Sequence, residues 1–346
     1  MNLENLVRKN ILKLNPYSSA RNEFNKKANI FLDANENPFE NGLNRYPDPN
    51  QTKLKEVIAE KKNIASDQII IGNGSDEVLD LLYRAFCEPK EDEVITLAPS
   101  YGMYNVLGAI NNIRIVNYGL DENFEFSSNG LLNIAKDNTK MILLCSPNNP
   151  TGNSIPKEII GYLAQNFRGL IVLDEAYIDF SLEDSMVSLI DEFPNLVVCQ
   201  TLSKAYGMAG IRLGIAFGNK DVIAILNRIK PPYNINQLSI EKAIESFSIP
   251  SKLSRDVCEI NKEKQKLKNA LIQLDIVDKV FPSKANFLLV KFLNGDAVYT
   301  ELIEKGIVVR NRSKEYNCEN CLRITIGTES ENYELMSALN AINNSV

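Results

Sequence analysis

The sequence predicts an α/β fold, a mostly parallel central sheet with helices on both faces, joined to a smaller α+β domain. Three observations predict it. Between residues 68 and 218 short apolar runs alternate with helix-like stretches, the pattern of a sheet covered by helices. Several of those runs are apolar on consecutive residues, as strands buried on both faces are. After about residue 220 a long charged stretch with helical spacing replaces the alternation.

The elements follow in order. QIIIGNG (68–74) reads as a strand ending in a Gly turn, and SDEVLDLLYRAFC (75–87) as a helix with Val78, Leu81, Leu82 and Ala85 at helical spacing. EVITLA (93–98), IRIVNY (113–118), MILLCS (141–146), LIVLDEAY (170–177), LVVCQT (196–201) and IRLGIAFG (211–218) read as further strands. A helical stretch over about 239–274 then leads to the strands ANFLLVKF (285–292), GIVVRNR (306–312) and CLRITIG (321–327), with YTELIEKG and YELMSALNAI as helices. The expected division is a segment 1–40 that packs with the small domain or a partner, a large domain 41–238 and a small domain 239–346. No internal repeat or low-complexity segment interrupts it.

Composition narrows the function. The 346 residues carry 38 Lys and Arg against 44 Asp and Glu, a net charge of −6, which argues against a nucleic-acid binder with a basic face. The first residues, MNLENLVRKNILKLNPY, hold no continuous apolar core of a signal peptide. No apolar run approaches the ~18 residues of a membrane span, so a cytoplasmic protein is expected. Histidine is absent. That excludes Ser-His-Asp catalysis, His-ligated zinc and His proton shuttles. Acid–base chemistry must run on Lys, Tyr, Asp, Glu or Cys, or on a cofactor.

In an open parallel sheet, ligands bind beyond the carboxyl ends of strands. Four segments there carry chemistry. GNGSDE (72–77) joins a strand to a helix, whose N-terminus presents free N–H groups to an anion, with Ser75 or Asp76 as a helix cap otherwise. It is not a dinucleotide fingerprint, because Glu77 stands where the third Gly belongs, and no GxxxxGK[ST] loop exists. SPNNPTG (146–152) is a rigid loop offering the amide of Asn149. In LIVLDEAY, Asp174 ends a buried aliphatic run, where a carboxylate is costly unless it meets a positive partner. In TLSKAYGMAGIRLG (201–214), Lys204 stands among the hydroxyls of Thr201 and Ser203, with Arg212 eight residues on. A lysine in a desolvated site is a competent nucleophile and base. Singly, these are a capped turn, a loop, an exposed Asp and a surface Lys.

Together, in this order, they resemble the fold-type I pyridoxal 5′-phosphate (PLP) aminotransferases. Within them LDANENPFE (32–40), NRYPDP (44–49), APSYGMY (98–104), CSPNNPTG (145–152), LDEAYIDF (173–180) and CLRITIGT (321–328) are most similar to the histidinol-phosphate aminotransferase family. The resemblance runs from about Leu14 to Thr328. It implies PLP as cofactor, no metal, and exchange of an amino group between L-histidinol phosphate and 2-oxoglutarate by a ping-pong route in histidine biosynthesis. It implies that Lys204 is linked covalently to PLP and that Asp174 pairs with the pyridinium nitrogen. Tyr177 and Asn149 would bond the ring hydroxyl, and Tyr101 would stack on the ring face. The cofactor phosphate would rest on Ser75, Asp76, Thr201, Ser203 and Arg212. Tyr46 would reach the cofactor of a neighbouring subunit in a homodimer. Arg323 would receive the substrate carboxylate, Arg310 would help hold the substrate phosphate, and Tyr17 would close over it.

Two places depart from the pattern. NPYSSAR (15–21) lacks the Pro and Gly that usually follow the Tyr, which bears on closure over substrate. Cys318 and Cys321 form an isolated C-x-x-C without a second pair, and a loop between strands is expected there. An aromatic amino-acid aminotransferase and a threonine-phosphate decarboxylase of the same fold share every cofactor residue and differ only in the substrate pocket.

Overall fold

The computed structural model describes residues 3–16, 29–183 and 185–345. Among the described residues, eleven strands form two sheets. The larger holds β1 (Ile69–Asn73), β2 (Glu93–Ala98), β3 (Arg114–Gly119), β4 (Thr139–Cys145), β5 (Leu170–Asp174), β6 (Leu196–Thr201) and β7 (Leu213–Gly218) in the order β1-β7-β6-β5-β4-β2-β3. Only β7 runs against the others; the remaining pairings are parallel. The α/β architecture and the strands read from sequence are therefore present.

The consecutive apolar runs have a simple cause. Along β5, Leu170 and Val172 join the core on one face, while Ile171 and Leu173 join the core on the other. Side chains alternate along a strand, so a strand covered on both faces is apolar throughout. Each such aliphatic side chain contributes roughly 1.5–3 kcal/mol through its burial. The helix Ser75–Phe86 supplies one cover with Val78, Leu79, Leu82 and Phe86. Among the described residues, no helix is long and apolar enough to cross a membrane.

The smaller sheet holds β8 (Val277–Val280), β9 (Phe287–Phe292), β10 (Arg310–Asn311) and β11 (Cys321–Thr325), in the antiparallel order β10-β11-β9-β8. Helices Pro250–Leu271 and Glu329–Asn343 pack Leu267, Leu271, Leu335 and Leu339 against it. β8 was not legible, because Asp278 and Lys279 interrupt its two valines at an exposed edge. The strand expected over 306–312 shrinks to Arg310–Asn311, with Val308 exposed before it.

Two expectations need correction. The helical stretch expected over 239–274 is two helices, Gln237–Phe247 and Pro250–Leu271. Pro250 has no N–H to continue the first, and it opens the second at its first turn. The first helix buries Ile240, Ala243 and Phe247 in the large core, so it crosses the boundary expected at 238. The start of the N-terminal segment packs on the large body, not the small one. Leu6, Val7 and Ile11 are buried beside Ala85, Phe86 and Ile225, and the Arg8 N–H donates to the Ala85 carbonyl at 3.0 Å.

Candidate active site

The carboxyl ends of the parallel strands open into a cavity of about 370 Å³. Its floor is Asp174, the last residue of β5, in register with Cys145 of β4 and Cys199 of β6. Asp174 lies on the same face as Leu170 and Val172 and is buried. Its carboxylate accepts the Tyr104 hydroxyl at 2.9 Å and the Ala176 N–H at 3.0 Å. Burial nevertheless pushes its pKa up to about 6, the two hydrogen bonds opposing the rise. A buried carboxylate so destabilised awaits a cation.

Lys204 follows β6 by three residues, in the loop that turns back into antiparallel β7. Its ammonium lies 5.6 Å from the centre of the Tyr177 ring. Desolvation, and next the Arg323 charge, hold its pKa below the usual lysine value, while Asp174 and Asp76 oppose them. The side chain still opens to the cavity, where a ligand can reach the amine. Tyr177 stands edge-on to Phe287 at 5.2 Å, and burial raises its phenol pKa.

The same antiparallel return builds an anion cradle. Pairing of β7 with β1 sets Leu213 opposite Asn73, and the Gly74 N–H donates to the Arg212 carbonyl at 2.8 Å. Gly74, at φ +79°, leaves room for the Arg212 guanidinium, and a Cβ at Gly214 would run into the backbone nitrogen of Ser75. The first turn of the helix Ser75–Phe86 therefore meets Arg212 directly, its N–H groups free of intrahelical partners. The Ser203 N–H and the Thr201 hydroxyl, 3.1 Å apart, turn the neighbouring loop toward the same spot.

The opposite wall comes from the small sheet. Arg310 pairs with Arg323 across β10 and β11, and both line the cavity with Arg312. Arg323 donates to the Asn149 side-chain oxygen, and its guanidinium lies 5.3 Å from the Phe287 ring centre. Desolvation and the charge of Arg312 lower its pKa. Tyr101 donates to Asp76 at 3.2 Å and stands edge-on to Tyr104.

The cavity thus gathers Ser75, Asp76, Tyr101, Asn149, Asp174, Tyr177, Thr201, Ser203, Lys204, Arg212, Arg310 and Arg323, every site residue expected from the sequence except two. Tyr46 lies apart, stacked on Tyr233 with ring centres 4.5 Å apart. Tyr17 lies outside the described residues. Sequence reasoning missed Tyr104 and Arg312. Tyr104 stands three residues after Tyr101, its N–H donating to the Tyr101 carbonyl at 3.1 Å. Arg312 stands two after Arg310, on one side of an extended segment; both spacings were available signals. Cys318 and Cys321 are buried in the large core, closing a turn in which the Cys321 N–H donates to the Cys318 carbonyl at 2.9 Å.

A buried acid at the floor, a desolvated lysine, an anion cradle and a wall of guanidiniums fit a planar, cationic, phosphorylated ring beside an anionic substrate. The comparisons define the class. The family model described as aminotransferase class I and II matches residues 15–339, and the chain belongs to that family. Its relatives are more particular. A histidinol-phosphate aminotransferase from Flavobacterium psychrophilum is 52% identical over 343 residues, and one from Flavobacterium johnsoniae 50% identical over 344, each alignment covering 99% of both chains. The crystal structure of the histidinol-phosphate aminotransferase from Clostridium acetobutylicum aligns with a TM-score of 0.80 at 26% identity, covering 88% of this chain and 92% of that one. L-threonine-O-3-phosphate decarboxylase from Porphyromonas gingivalis shares the fold at a TM-score of 0.74 and 23% identity, over 87% of this chain and 91% of that one.

Proposed function

We propose that the protein is a PLP-dependent histidinol-phosphate aminotransferase, exchanging an amino group between L-histidinol phosphate and 2-oxoglutarate. The observation that carries the reading is the placement of Lys204 and Asp174 at the ends of neighbouring strands, in a cavity walled by arginines. Full-length kinship to enzymes of that name supports it.

Asp174 would meet the cofactor's ring nitrogen, whose positive charge answers the buried carboxylate. Tyr177 and Asn149 would bond the ring hydroxyl, and Tyr101 would lie against the ring. The Ser75 and Asp76 N–H groups, Thr201, Ser203 and Arg212 would hold the phosphate. When bound, PLP draws electrons away from the substrate's Cα–H bond and carries the amino group between the two substrates. Lys204 would anchor the cofactor and, once freed by substrate, take the Cα proton as general base. The direction of its pKa shift, downward, favours the uncharged form a base needs. Arg323 and Arg310 would hold the substrate's anionic groups.

We also read the protein as a homodimer, with Tyr46 reaching the partner's cofactor phosphate. Leu32 and Phe39 are 89% and 79% exposed, and Ile30 and Leu43 beside them are exposed too, an apolar run that a second copy would cover. The division between the two bodies belongs near residue 249, after the helix that packs in the large core.

The test loads the purified protein with PLP, records its visible spectrum, then adds L-histidinol phosphate and 2-oxoglutarate and follows glutamate. A lysine-linked cofactor band and glutamate formation are expected. Turnover of phenylalanine but not histidinol phosphate, or carbon dioxide release from threonine phosphate, would overturn the substrate assignment.

A further inference from the structure

We propose that Arg312 joins Arg310 and Arg323 in a three-guanidinium site for the substrate's phosphate, and so sets the preference for a phosphate monoester over a carboxylate. This rests on the function proposed above. The geometry begins with the backbone. Arg310 is paired with Arg323 and Asn311 with Leu322, and the Arg312 N–H donates to the Cys321 carbonyl at 2.8 Å, which carries the pairing one residue further. Side chains two apart in an extended segment leave it on one side. All three arginines line the cavity.

Arg312 is held there rather than left in solvent. Its side chain is 15% exposed, and one terminal nitrogen is paired with Glu315. Its Nε is buried and unpartnered, as is Arg323 Nε. Buried donors without acceptors are costly, and the two guanidinium Nε donors belong to residues of the cavity wall, where a ligand can supply acceptors.

Charge selects which ligand. Glu315 offsets one of the three guanidiniums, so the wall keeps an excess of two positive charges. A carboxylate brings one negative charge and two oxygens. A phosphate monoester brings up to two charges and three terminal oxygens, which match the forked donors of more than one arginine. The Ser75–Arg212 cradle is a separate anion site on the large sheet, so a protein already loaded with PLP presents the arginine wall to substrate.

The experiment compares PLP-loaded wild type with Arg312→Gln and Arg312→Lys. In Arg312→Gln the KM for L-histidinol phosphate is expected to rise about 10- to 100-fold, the range for a lost charge-assisted hydrogen bond. The kcat and the KM for 2-oxoglutarate should move far less. Arg312→Lys should recover only part of the loss, since it keeps the charge but not the fork. Calorimetric titration with inorganic phosphate gives a reading that needs no turnover, and binding should weaken in Arg312→Gln. An unchanged KM, or equal rises for both substrates, overturns the proposal, as does phosphate binding that is absent or identical in wild type and variant. If wild type fails to turn over histidinol phosphate while phosphate binding still depends on Arg312, the proposed function falls and the anion site stands.

Discussion

The two walls of the cavity rest on different sheets, and they hold their charges in different ways. On the large sheet, the short side chains of Asp174 and Thr201 end strands buried on both faces, with Lys204 and Arg212 held in the return between β6 and β7. Asp174 cannot move without shifting β5, whose aliphatic residues are almost entirely inaccessible. On the small sheet, long arginines reach inward from a two-residue strand and the loop beyond it. Rigid short groups suit a cofactor that stays in one place. Long guanidiniums, which adapt along their stems, suit two substrates that must alternate at one site. Under the proposed function, the large sheet would set the chemistry and the small sheet the choice of substrate.

The largest expected effect tests the chemical half. Lys204→Ala should lower transamination by about 10²–10⁴, the usual share of a general base. Fold and quaternary state, followed by circular dichroism and light scattering, should be unchanged. A variant that kept full turnover would remove Lys204 from the mechanism, and the division of labour with it.

The next effect concerns the unpaired acid. The folded state raises Asp174 from the ordinary 3.8 to about 6, chiefly by burial, so folding favours its protonated form. Below about pH 4 both folded and unfolded chains hold the proton and nothing is lost. As the pH rises to about 6 and beyond, the cofactor-free protein should lose up to about 3 kcal/mol of stability through this one group. Urea unfolding across that window should show the loss in wild type and a smaller one in Asp174→Asn. Added PLP should restore wild type above pH 6 and leave the variant little changed. Equal pH profiles for the two would mean that burial does not strain Asp174.

On the small sheet, Arg323→Gln should raise the KM values of both substrates about 10- to 100-fold, as for one lost charge-assisted hydrogen bond. PLP affinity, titrated by absorbance, should fall only slightly, through the lost contact to Asn149. A large fall in PLP affinity with little change in KM would place Arg323 on the cofactor side and erase the contrast.

The same contrast governs what a sequence reveals. Parallel strands buried on both faces write themselves as unbroken apolar runs, and Asp174 and Lys204 stand out because each breaks such a run or follows one. The small sheet hides. Val277–Val280 carries two charges at an edge, and Arg312 sits in a loop where only its spacing from Arg310 separates it from a surface residue. Tyr104 was hidden differently. A buried tyrosine looks like core, and only the fold shows its hydroxyl on Asp174. The packing of residues 3–12 on the large body was likewise invisible, since Leu6, Val7 and Ile11 name no partner until the helix Ser75–Phe86 is in place.

The smallest effect separates stability from chemistry on the small sheet itself. β11 carries Arg323 and runs through Thr328 into the helix Glu329–Asn343. Thr328 caps that helix: its hydroxyl accepts the Glu331 N–H at 3.3 Å, while Glu331 returns a bond to the Thr328 N–H at 2.7 Å. Removing the hydroxyl in Thr328→Ala should cost about 1 kcal/mol of stability, read by urea unfolding. Because the cap lies beyond the sheet and touches no cavity residue, the KM values and the PLP affinity should stay at wild-type values. If Thr328→Ala instead raises the KM for L-histidinol phosphate, the arginine wall depends on the order of the helix that follows it. The small sheet would then be a tunable element, with substrate affinity linked to its stability.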